Sequence, residues 1–288
     1  MSMRISRLLQ ANEPRPFTVA THAVVEARAA EIDGLRDLEP VPGVPALPAR
    51  FLRHCDEQTV VGMHAVLRAM AAHPHEGTHA RHGIVAASCQ VGRIAAARAL
   101  VLLRDGGPLT VSPHIVPQAS LHSIAGAVSV GLGMHGPHLG VSGGPDAIGE
   151  GIIAAVSLLE GCGDDLPGVW VVVSEWAAEP ALGADGSVSD DPVCRALAFT
   201  LSATGHAADL PVPTLAVRMP RGPQVACHGE ASEPARFEDV ARALAVYAEG
   251  GPIVSWAFSA PGGVEFRVCR RPASARVFSS STGLREAA

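Results

Sequence analysis

The segment from Leu139 to Gly161 constrains the fold most, because a strand, a glycine-rich turn and an amphipathic helix follow one another in it without a gap. Leu139 to Ser142 is short and apolar, as buried strands are, and residues 143–145 form the turn. Asp146 is a good N-cap. The apolar positions that follow at helical spacing are Ile148, Ile152, Ala155 and Leu159. This order predicts an α/β fold with parallel strands.

The same alternation of strand and helix is found elsewhere in the chain. Asp56 predicts the start of a helix over Glu57 to Ala72, and Ile84 to Ser88 and Arg93 to Leu103 predict a strand and a second helix. Trp170 to Ser174 is apolar without alternation, which is typical of a strand covered on both faces. Further predicted elements are strands at Phe17 to Val25, Ala196 to Leu201, Thr214 to Val217, Ile253 to Phe258 and Val264 to Val268, and a helix at Phe237 to Ala248.

Composition excludes some functions. The chain has 288 residues with 48% hydrophobic and 17% charged content, enough for a substantial core. A net charge of -6 offers no field for phosphate backbones, so we expect no nucleic acid partner. The six cysteines include no Cys-x-x-Cys pair that would indicate a zinc or redox site.

The sequence also bears on location. Residues 1–10 contain no long apolar stretch of a signal peptide, which predicts a cytoplasmic protein. The uncharged run from Gly106 to Pro145 is interrupted by glycine and proline. We therefore expect buried core there and no membrane span.

A family resemblance rests on the order of three motifs. Val-Ser-Pro-His-Ile-Val-Pro occupies 111–117, Leu-His-Ser-Ile-Ala-Gly occupies 121–126, and a Gly-Pro strand and glycine-rich turn fill 133–150. This order resembles the β-ketoacyl synthases of the thiolase superfamily over about Phe17 to Glu179. The resemblance implies a thiolase-like layered α/β fold, with helices around a mostly buried mixed sheet and an incomplete second half. It implies one domain over 1–288, with an irregular region at 1–50, a synthase-like core at 51–180 and a divergent part at 181–288.

The catalytic cysteine of that family is missing from the matching turn. No cysteine lies between Cys89 and Cys162, and Gly143 or Gly144 stands where the nucleophile belongs. Glycine cannot attack an acyl thioester, so no catalytic residue is expected there. Short chains of this kind are similar to the β-ketoacyl synthase N-terminal-like proteins and to chain-length-factor subunits of aryl-polyene and type II polyketide synthases.

The resemblance implies partners and an interface. It predicts a heterodimer with a full-length ketosynthase that acts with acyl carrier protein, or a homodimer. An acidic carrier protein would have to dock on a local arginine patch. No cofactor is expected. The implied interface consists of the strand before the turn and the helix over Pro117 to Val130, with Gly126, Pro137, Leu139, Gly140, Val141 and Ser142 as its residues. Small side chains at Gly126, Ala127, Gly131 and Gly133 suit close approach of another backbone.

A second hypothesis makes Ser142 a nucleophile. Gly140 to Gly144 matches Gly-x-Ser-x-Gly, the elbow of acyl hydrolases and related acyltransferases, in the required strand-turn-helix context. Such an enzyme needs an acid and a histidine. The candidates are Asp190 or Asp191 with His206 or His228, and nothing in the sequence selects among them.

Two other patterns predict no site. Gly131 to Gly136 matches Gly-x-Gly-x-x-Gly formally, but a helix precedes it and Pro137 with a strand follows, the reverse of a dinucleotide-binding turn. The histidines between His73 and His82 (His73, His75, His79 and His82) lie among residues that favour an exposed loop. We therefore expect a solvated loop and no metal site.

Overall fold

The structure is a computed structural model. It describes residues 15–38, 40–42, 44, 46–72, 79–142, 144–203, 213–218, 235–248, 256–260 and 263–270. The strands are β1 Arg15–Thr18, β2 His22–Arg28, β3 Gly83–Ser88, β4 His138–Ser142, β5 Val169–Trp176, β6 Ala181–Leu182, β7 Val188–Ser189, β8 Val193–Ala203, β9 Pro213–Arg218, β10 Trp256–Ala260 and β11 Val264–Arg270. The α-helices are α1 Glu57–Ala72, α2 Arg93–Gly106, α3 Ile115–Gln118, α4 Ser123–Leu132, α5 Ala147–Cys162 and α6 Phe237–Ala248. Short 3-10 helices lie at Ile32–Arg36, Pro108–Thr110 and Gly163–Asp165.

A mixed sheet organises these elements. Its strand order is β10-β11-β9-β1-β8-β5-β3-β4, and β2 also pairs with β8. The strands β4, β3 and β5 are parallel, and the other pairings of the sheet are antiparallel. β1 and β2 follow one another along the same edge of β8, and β1 joins the β9 to β11 part to the rest.

Helices cover both faces of the sheet. The helices α1 and α4 pack on the face that carries Ile84, Trp170 and Val172. The helix α5 packs on the opposite face, against Val171 and Val173, and α6 packs against β9 and β11. Because β5 is buried on both faces, apolar and polar residues do not alternate along it. Each fully buried aliphatic side chain contributes about 1.5–3 kcal/mol to the free energy of unfolding.

Local signals account for the helix bounds. Asp56 is the N-cap of α1, because its Oδ1 accepts a hydrogen bond from the Thr59 N–H at 2.8 Å. Asp146 occupies the N-cap position of α5 without a side-chain hydrogen bond. α5 ends at Cys162, and its C-cap is Gly163, whose φ of 59° suits glycine.

Two sequence predictions need correction. The strand predicted over Phe17 to Val25 is two strands, β1 and β2. The helix predicted over Pro117 to Val130 is interrupted, because residues 119–122 separate α3 from α4. The start of the strand predicted from Ile253 lies outside the described residues, which resume at Trp256.

Within the uncharged run from Gly106 to Pro145, helix α4 contributes to the core. Ile124, Ala125 and Val128 are buried against α1 and the sheet. Within the described residues, no helix is both long and apolar enough to span a membrane.

Candidate functional site

The carboxyl ends of β4, β3 and β5 lie side by side, and each ends in or near a serine. Ser88 pairs in register with Ser142 on one side and with Ser174 on the other. Ligands of open α/β sheets bind at this end of parallel strands. In the sequence, three apolar stretches each lead into a serine. Only the strand register shows that these three serines are neighbours in the sheet.

β4, a short turn and α5 follow one another in the order that the sequence predicts. β4 ends at Ser142, and α5 begins at Ala147. Gly143 lies outside the described residues, and Gly144 is exposed. A Cβ at Gly151 of α5 would lie 2.6 Å from the Ala87 Cβ, so α5 packs directly on β3 and fixes the direction of the turn.

Cys89 lies one residue beyond Ser88, which pairs in register with Ser142, and it was not weighed as a nucleophile from the sequence alone. It directly follows β3 and is half-buried, and its N–H donates to the Ser174 carbonyl at 3.1 Å. Burial raises the pKa of the Cys89 thiol, and the carboxylates of Glu175 and Glu179 raise it further. Reactive cysteines have lowered pKa values, so the surroundings of Cys89 do not activate it as a nucleophile.

A buried polar network lies below the carboxyl ends of the strands. Ser88 and Ser174 are fully buried, with their Oγ atoms 2.9 Å apart. Ser174 Oγ donates to Gln58 Oε1 at 3.2 Å, and Gln58 Nε2 donates to the Cys89 carbonyl at 2.8 Å. The Ser88 and Ser174 hydroxyls are therefore hydrogen-bonded within the protein and are not accessible to a substrate.

A second buried network joins the starts of α1 and α4. Asp56 is 3% exposed, and its Oδ2 accepts hydrogen bonds from Thr59 Oγ1 at 2.8 Å and Ser123 Oγ at 2.9 Å. Burial raises the pKa of Asp56 to about 6, although the hydrogen bonds from Thr59 and Ser123 oppose the shift. The helix beside β4 is thus held by a carboxyl group that titrates near neutral pH.

Two histidines meet beside β4. Nδ1 of His138 lies 2.9 Å from Nε2 of His122, in the linker before α4. Burial and the neighbouring His138 lower the pKa of His122. A Cβ at Gly140, also on β4, would overlap the Leu121 carbonyl and lie 2.8 Å from the His122 nitrogen. The missing side chain at Gly140 therefore leaves room for the backbone of Leu121 and His122, in the linker before α4.

The exposed large apolar side chains belong to one stretch of the sequence, from α2 to β4. Among the described residues, all large apolar side chains classed as exposed lie between residues 100 and 139. They are Leu100, Leu102, Leu103, Leu109, Val116, Leu121, Val130 and Leu139, which we call the apolar patch. Leu109 is 98% exposed and Val130 is 74% exposed. β4 is also the end strand of the sheet order, so its outer edge is unpaired among the described strands.

The residues of the predicted interface lie on α4 and on or next to β4, and they differ in how exposed they are to solvent. Pro137 and Leu139 are exposed, and Gly126 and Val141 are half-buried. Val141 packs on the α5 side of the sheet. Two of the other small residues have local roles.

Gly131 is covered by Leu47 and Phe51 of its own chain, since a Cβ there would lie 2.9 Å from Leu47 Cδ2. Gly133 ends α4 with a φ of 61°. Gly131 therefore offers no free space to a partner's backbone, whereas Gly133 is exposed and has open space around it.

The aspartates proposed to assist Ser142 are not brought to it. Asp191 Oδ2 lies 3.7 Å from Arg28 Nη1, and its Oδ1 accepts the Ala30 N–H at 3.0 Å. It precedes β8, which β3 and β5 separate from β4, a span of about 14 Å at the usual strand spacing. His206 and His228 lie outside the described residues.

The histidine cluster predicted as a loop is only partly described. His73 and His75 lie outside the described residues, and the rings of His79 and His82 pack edge to face with centroids 4.8 Å apart. Across the described ranges, no three histidine, cysteine or acidic side chains gather as metal ligands.

The structure is similar to ketosynthase structures. A ketosynthase in complex with its chain length factor from Xenorhabdus doucetiae is 14% identical, covers 88% of this chain and 99% of that chain, and has a TM-score of 0.52. The ishigamide ketosynthase/chain length factor is 15% identical over 89% of this chain and 99% of that chain, with a TM-score of 0.54. A type II PKS acyl-carrier protein in complex with its ketosynthase bound to the hexaketide is 16% identical over 72% and 70%, with a TM-score of 0.50.

These similarities establish the fold. The chain has the thiolase-like α/β fold of ketosynthases, with a mixed central sheet flanked by helices, as the sequence predicted. The similarity also extends beyond the stretch from Phe17 to Glu179 that the motifs indicated. No protein-family model matches the sequence, and no curated protein matches it significantly.

Proposed function

We propose that the chain is a noncatalytic ketosynthase-like subunit of chain-length-factor type. It pairs with an active β-ketoacyl-ACP synthase in fatty acid or polyketide chain assembly. The carrying observation is that Leu139 of β4, Leu121 beside Gly140 and Val130 of the adjoining helix α4 are exposed at the end strand of the sheet, next to a turn that has no cysteine. Large exposed apolar surfaces mark protein interfaces, and an open strand edge offers unpaired backbone groups.

The absence of a nucleophile supports the noncatalytic half of this proposal. The turn contains no cysteine, the Cys89 thiol has a raised pKa, and the nearby Ser88 and Ser174 hydroxyls are buried. Thiolate is the attacking species in acyl transfer to cysteine, so self-acylation is not expected. The work of the subunit is then to complete the partner's acyl tunnel and limit product length by packing.

Similar structures give the proposal its partners. One contains a ketosynthase with its chain length factor, and another contains an acyl-carrier protein with its ketosynthase. In this chain a pocket of about 270 Å³ is lined by Arg36, Arg53, His54 and Arg98, next to Glu57. Arg36 and Arg98 are engaged with Asp33 and Glu57, whereas Arg53 is exposed. We assign this arginine patch to an acidic carrier protein, because opposite charges steer association.

Single substitutions in the apolar patch test the pairing. We expect Val130→Glu and Leu139→Glu to weaken the heterodimer about tenfold or more each, because burying such a side chain contributes about 1.5–3 kcal/mol. Ser157→Glu, at an exposed position of α5, adds the same charge away from the patch and serves as the control. The assay is the dissociation constant of each variant for a cysteine-bearing ketosynthase from the same host.

Two outcomes would overturn the proposal. Unchanged pairing in both patch variants would place the interface elsewhere. Labelling of Ser142 by a fluorophosphonate, with an activity that Ser142→Ala abolishes, would make the chain an acyl hydrolase or acyltransferase. For the carrier protein, Arg53→Glu is expected to weaken carrier binding and leave the heterodimer intact.

A further inference from the structure

Two exposed histidines face one another at the end strand of the sheet. Nδ1 of His138, the first residue of β4, lies 2.9 Å from Nε2 of His122, the residue before α4. The ring planes are tilted by 33°, and the ring centroids are 4.8 Å apart. The function proposed above makes no use of this pair of imidazoles.

The backbone brings the two rings together. Gly140 lies two residues after His138, on the same face of β4. A Cβ at Gly140 would lie 2.8 Å from the His122 nitrogen, so the missing side chain allows the linker before α4 to run directly against the strand. The next residue, Ser123, donates its hydroxyl to Asp56 Oδ2 at 2.9 Å. His122 is therefore held in place by backbone packing on one side and by this hydrogen bond on the other.

The His122 side chain has no capping role in α4. It stands at the N-cap position and makes no capping hydrogen bond. A Cβ at Gly126 would lie 3.7 Å from Cδ2 and 3.8 Å from Nε2 of His122, so the ring lies over bare helix backbone. Within the described part of the chain, the two facing nitrogens hydrogen-bond to each other and to nothing else. Because both residues are exposed, solvent reaches the rings and the rings can turn.

The separation of the two nitrogens fits a shared metal ion. Imidazole nitrogen binds a first-row transition metal at about 2.0–2.1 Å. Two such bonds at a right angle place the nitrogens about 2.8–3.0 Å apart, whereas a tetrahedral angle places them about 3.3–3.4 Å apart. The observed 2.9 Å matches the right angle, which is typical of the tetragonal sites of Cu²⁺ and Ni²⁺.

We propose that His122 and His138 form a two-histidine site for Cu²⁺ or Ni²⁺, bound by Nε2 of His122 and Nδ1 of His138. Across the described residues, no third histidine, cysteine or acidic side chain joins them, so water fills the remaining positions. The site depends on the fold alone and stands whether or not the chain pairs with a ketosynthase.

The protonation of the two rings suits a metal. Burial and the neighbouring His138 lower the pKa of His122, which favours the neutral ring that a metal requires. The hydrogen bond between the rings holds one proton on one of the two facing nitrogens. When the metal binds, that proton passes through solvent to the far nitrogen of the same ring. Both rings stay neutral, so no proton is lost overall.

The bound ion would fasten the start of α4 to β4. His122 and His138 belong to different elements, and β4 is paired with only one neighbouring strand, β3, among the described strands. The two rings meet only in the folded chain, because 15 residues separate them along the sequence. A ligand that binds only the folded state stabilises it.

Calorimetric titration of the full chain with Ni²⁺ at neutral pH tests the site. We expect His122→Gln and His138→Gln each to weaken Ni²⁺ binding at one site about tenfold or more, because the second imidazole binds at a high effective concentration. His135→Gln removes another exposed histidine three residues from His138 and is the matched control, with wild-type binding expected. Identical binding in the wild type and both site variants, or an equal loss in His135→Gln, would overturn the proposal.

A measurement on the unaltered chain covers the case in which a variant misfolds. With an excess of Ni²⁺, residue-level NMR should show strong paramagnetic broadening of the His122, Ser123 and Leu139 amides. Phe266 of β11, six strand positions from β4, should keep its signal. Unbroadened amides at His122 and Leu139 would show that no ion sits between the rings.

Discussion

Protonation of Asp56 should make stability depend on pH in a defined window. The carboxyl group is 3% exposed, and burial raises its pKa from 3.8 to about 6. The folded state therefore holds the proton more tightly than the unfolded state. The stability that this contributes is fully present below pH 3.8 and is lost as pH rises through 6. A shift of about two units corresponds to about 3 kcal/mol.

The substitution Asp56→Asn isolates this effect. The amide oxygen still accepts the Thr59 N–H, and the amide nitrogen can donate to the Ser123 or Thr59 hydroxyl oxygen, so the N-cap is kept while the charge is removed. We expect the free energy of unfolding of the variant to exceed that of the wild type at pH 8 by up to about 3 kcal/mol. The difference should shrink between pH 6 and 4.

Urea denaturation of both proteins across pH 4 to 8 measures the difference curve, in which other titrating groups cancel. Asp56→Ala is the contrasting variant, because it removes the cap and leaves the Thr59 N–H without its acceptor. It should cost about 1–3 kcal/mol at low pH, where the wild type has no charge to bury. Parallel curves for the wild type and Asp56→Asn over the whole range would refute the reasoning.

Further predictions concern packing, reactivity and the C-terminal part. Gly140→Ala should destabilise the chain by about 1–3 kcal/mol or more, because the new methyl group overlaps the Leu121 carbonyl, as thermal or urea unfolding would show. Gly126→Ala on α4, where a Cβ would lie 3.7 Å from the His122 ring, should be tolerated or add up to about 1 kcal/mol, and a large loss there would contradict the packing described. Cys89 should react with iodoacetamide at neutral pH more slowly than a free cysteine in an unfolded peptide; faster reaction would revive it as a nucleophile. Arg195→Met should lower the free energy of unfolding by about 2–3 kcal/mol in urea denaturation. Arg195 forms ion pairs with Glu175 and Glu238, and its guanidinium lies 4.7 Å from the centre of the Phe237 ring at the start of α6. An unchanged free energy of unfolding would mean that these contacts do not hold α6 in place.

Local signals in the sequence were sufficient for most elements. The bounds of α1 and α6 match the prediction because a helix period and end signals coincide there, an aspartate N-cap in the case of α1. The strand-turn-helix unit around Ser142 was predictable for the same reason. The break between β1 and β2 was not, because Thr21 leaves the strand to donate its hydroxyl to the Ala69 carbonyl at 2.6 Å, a contact 48 residues away.

The candidate site was less predictable than the fold. The link between Asp56 and Ser123 and the row of Ser88, Ser142 and Ser174 depend on strand order, which periodicity does not encode. Gly140 shows a related difficulty. The family resemblance placed it in an interface, whereas in the structure the linker before α4 occupies the space beside it.

Purification of the tagged chain from its native host, followed by native mass spectrometry, tests the central claim most directly. The account predicts a one-to-one complex with a ketosynthase that carries the catalytic cysteine, and loss of that complex with Val130→Glu but not with Ser157→Glu. Recovery of the chain alone, as a monomer or a stable homo-oligomer that the patch substitutions leave unchanged, would contradict the account.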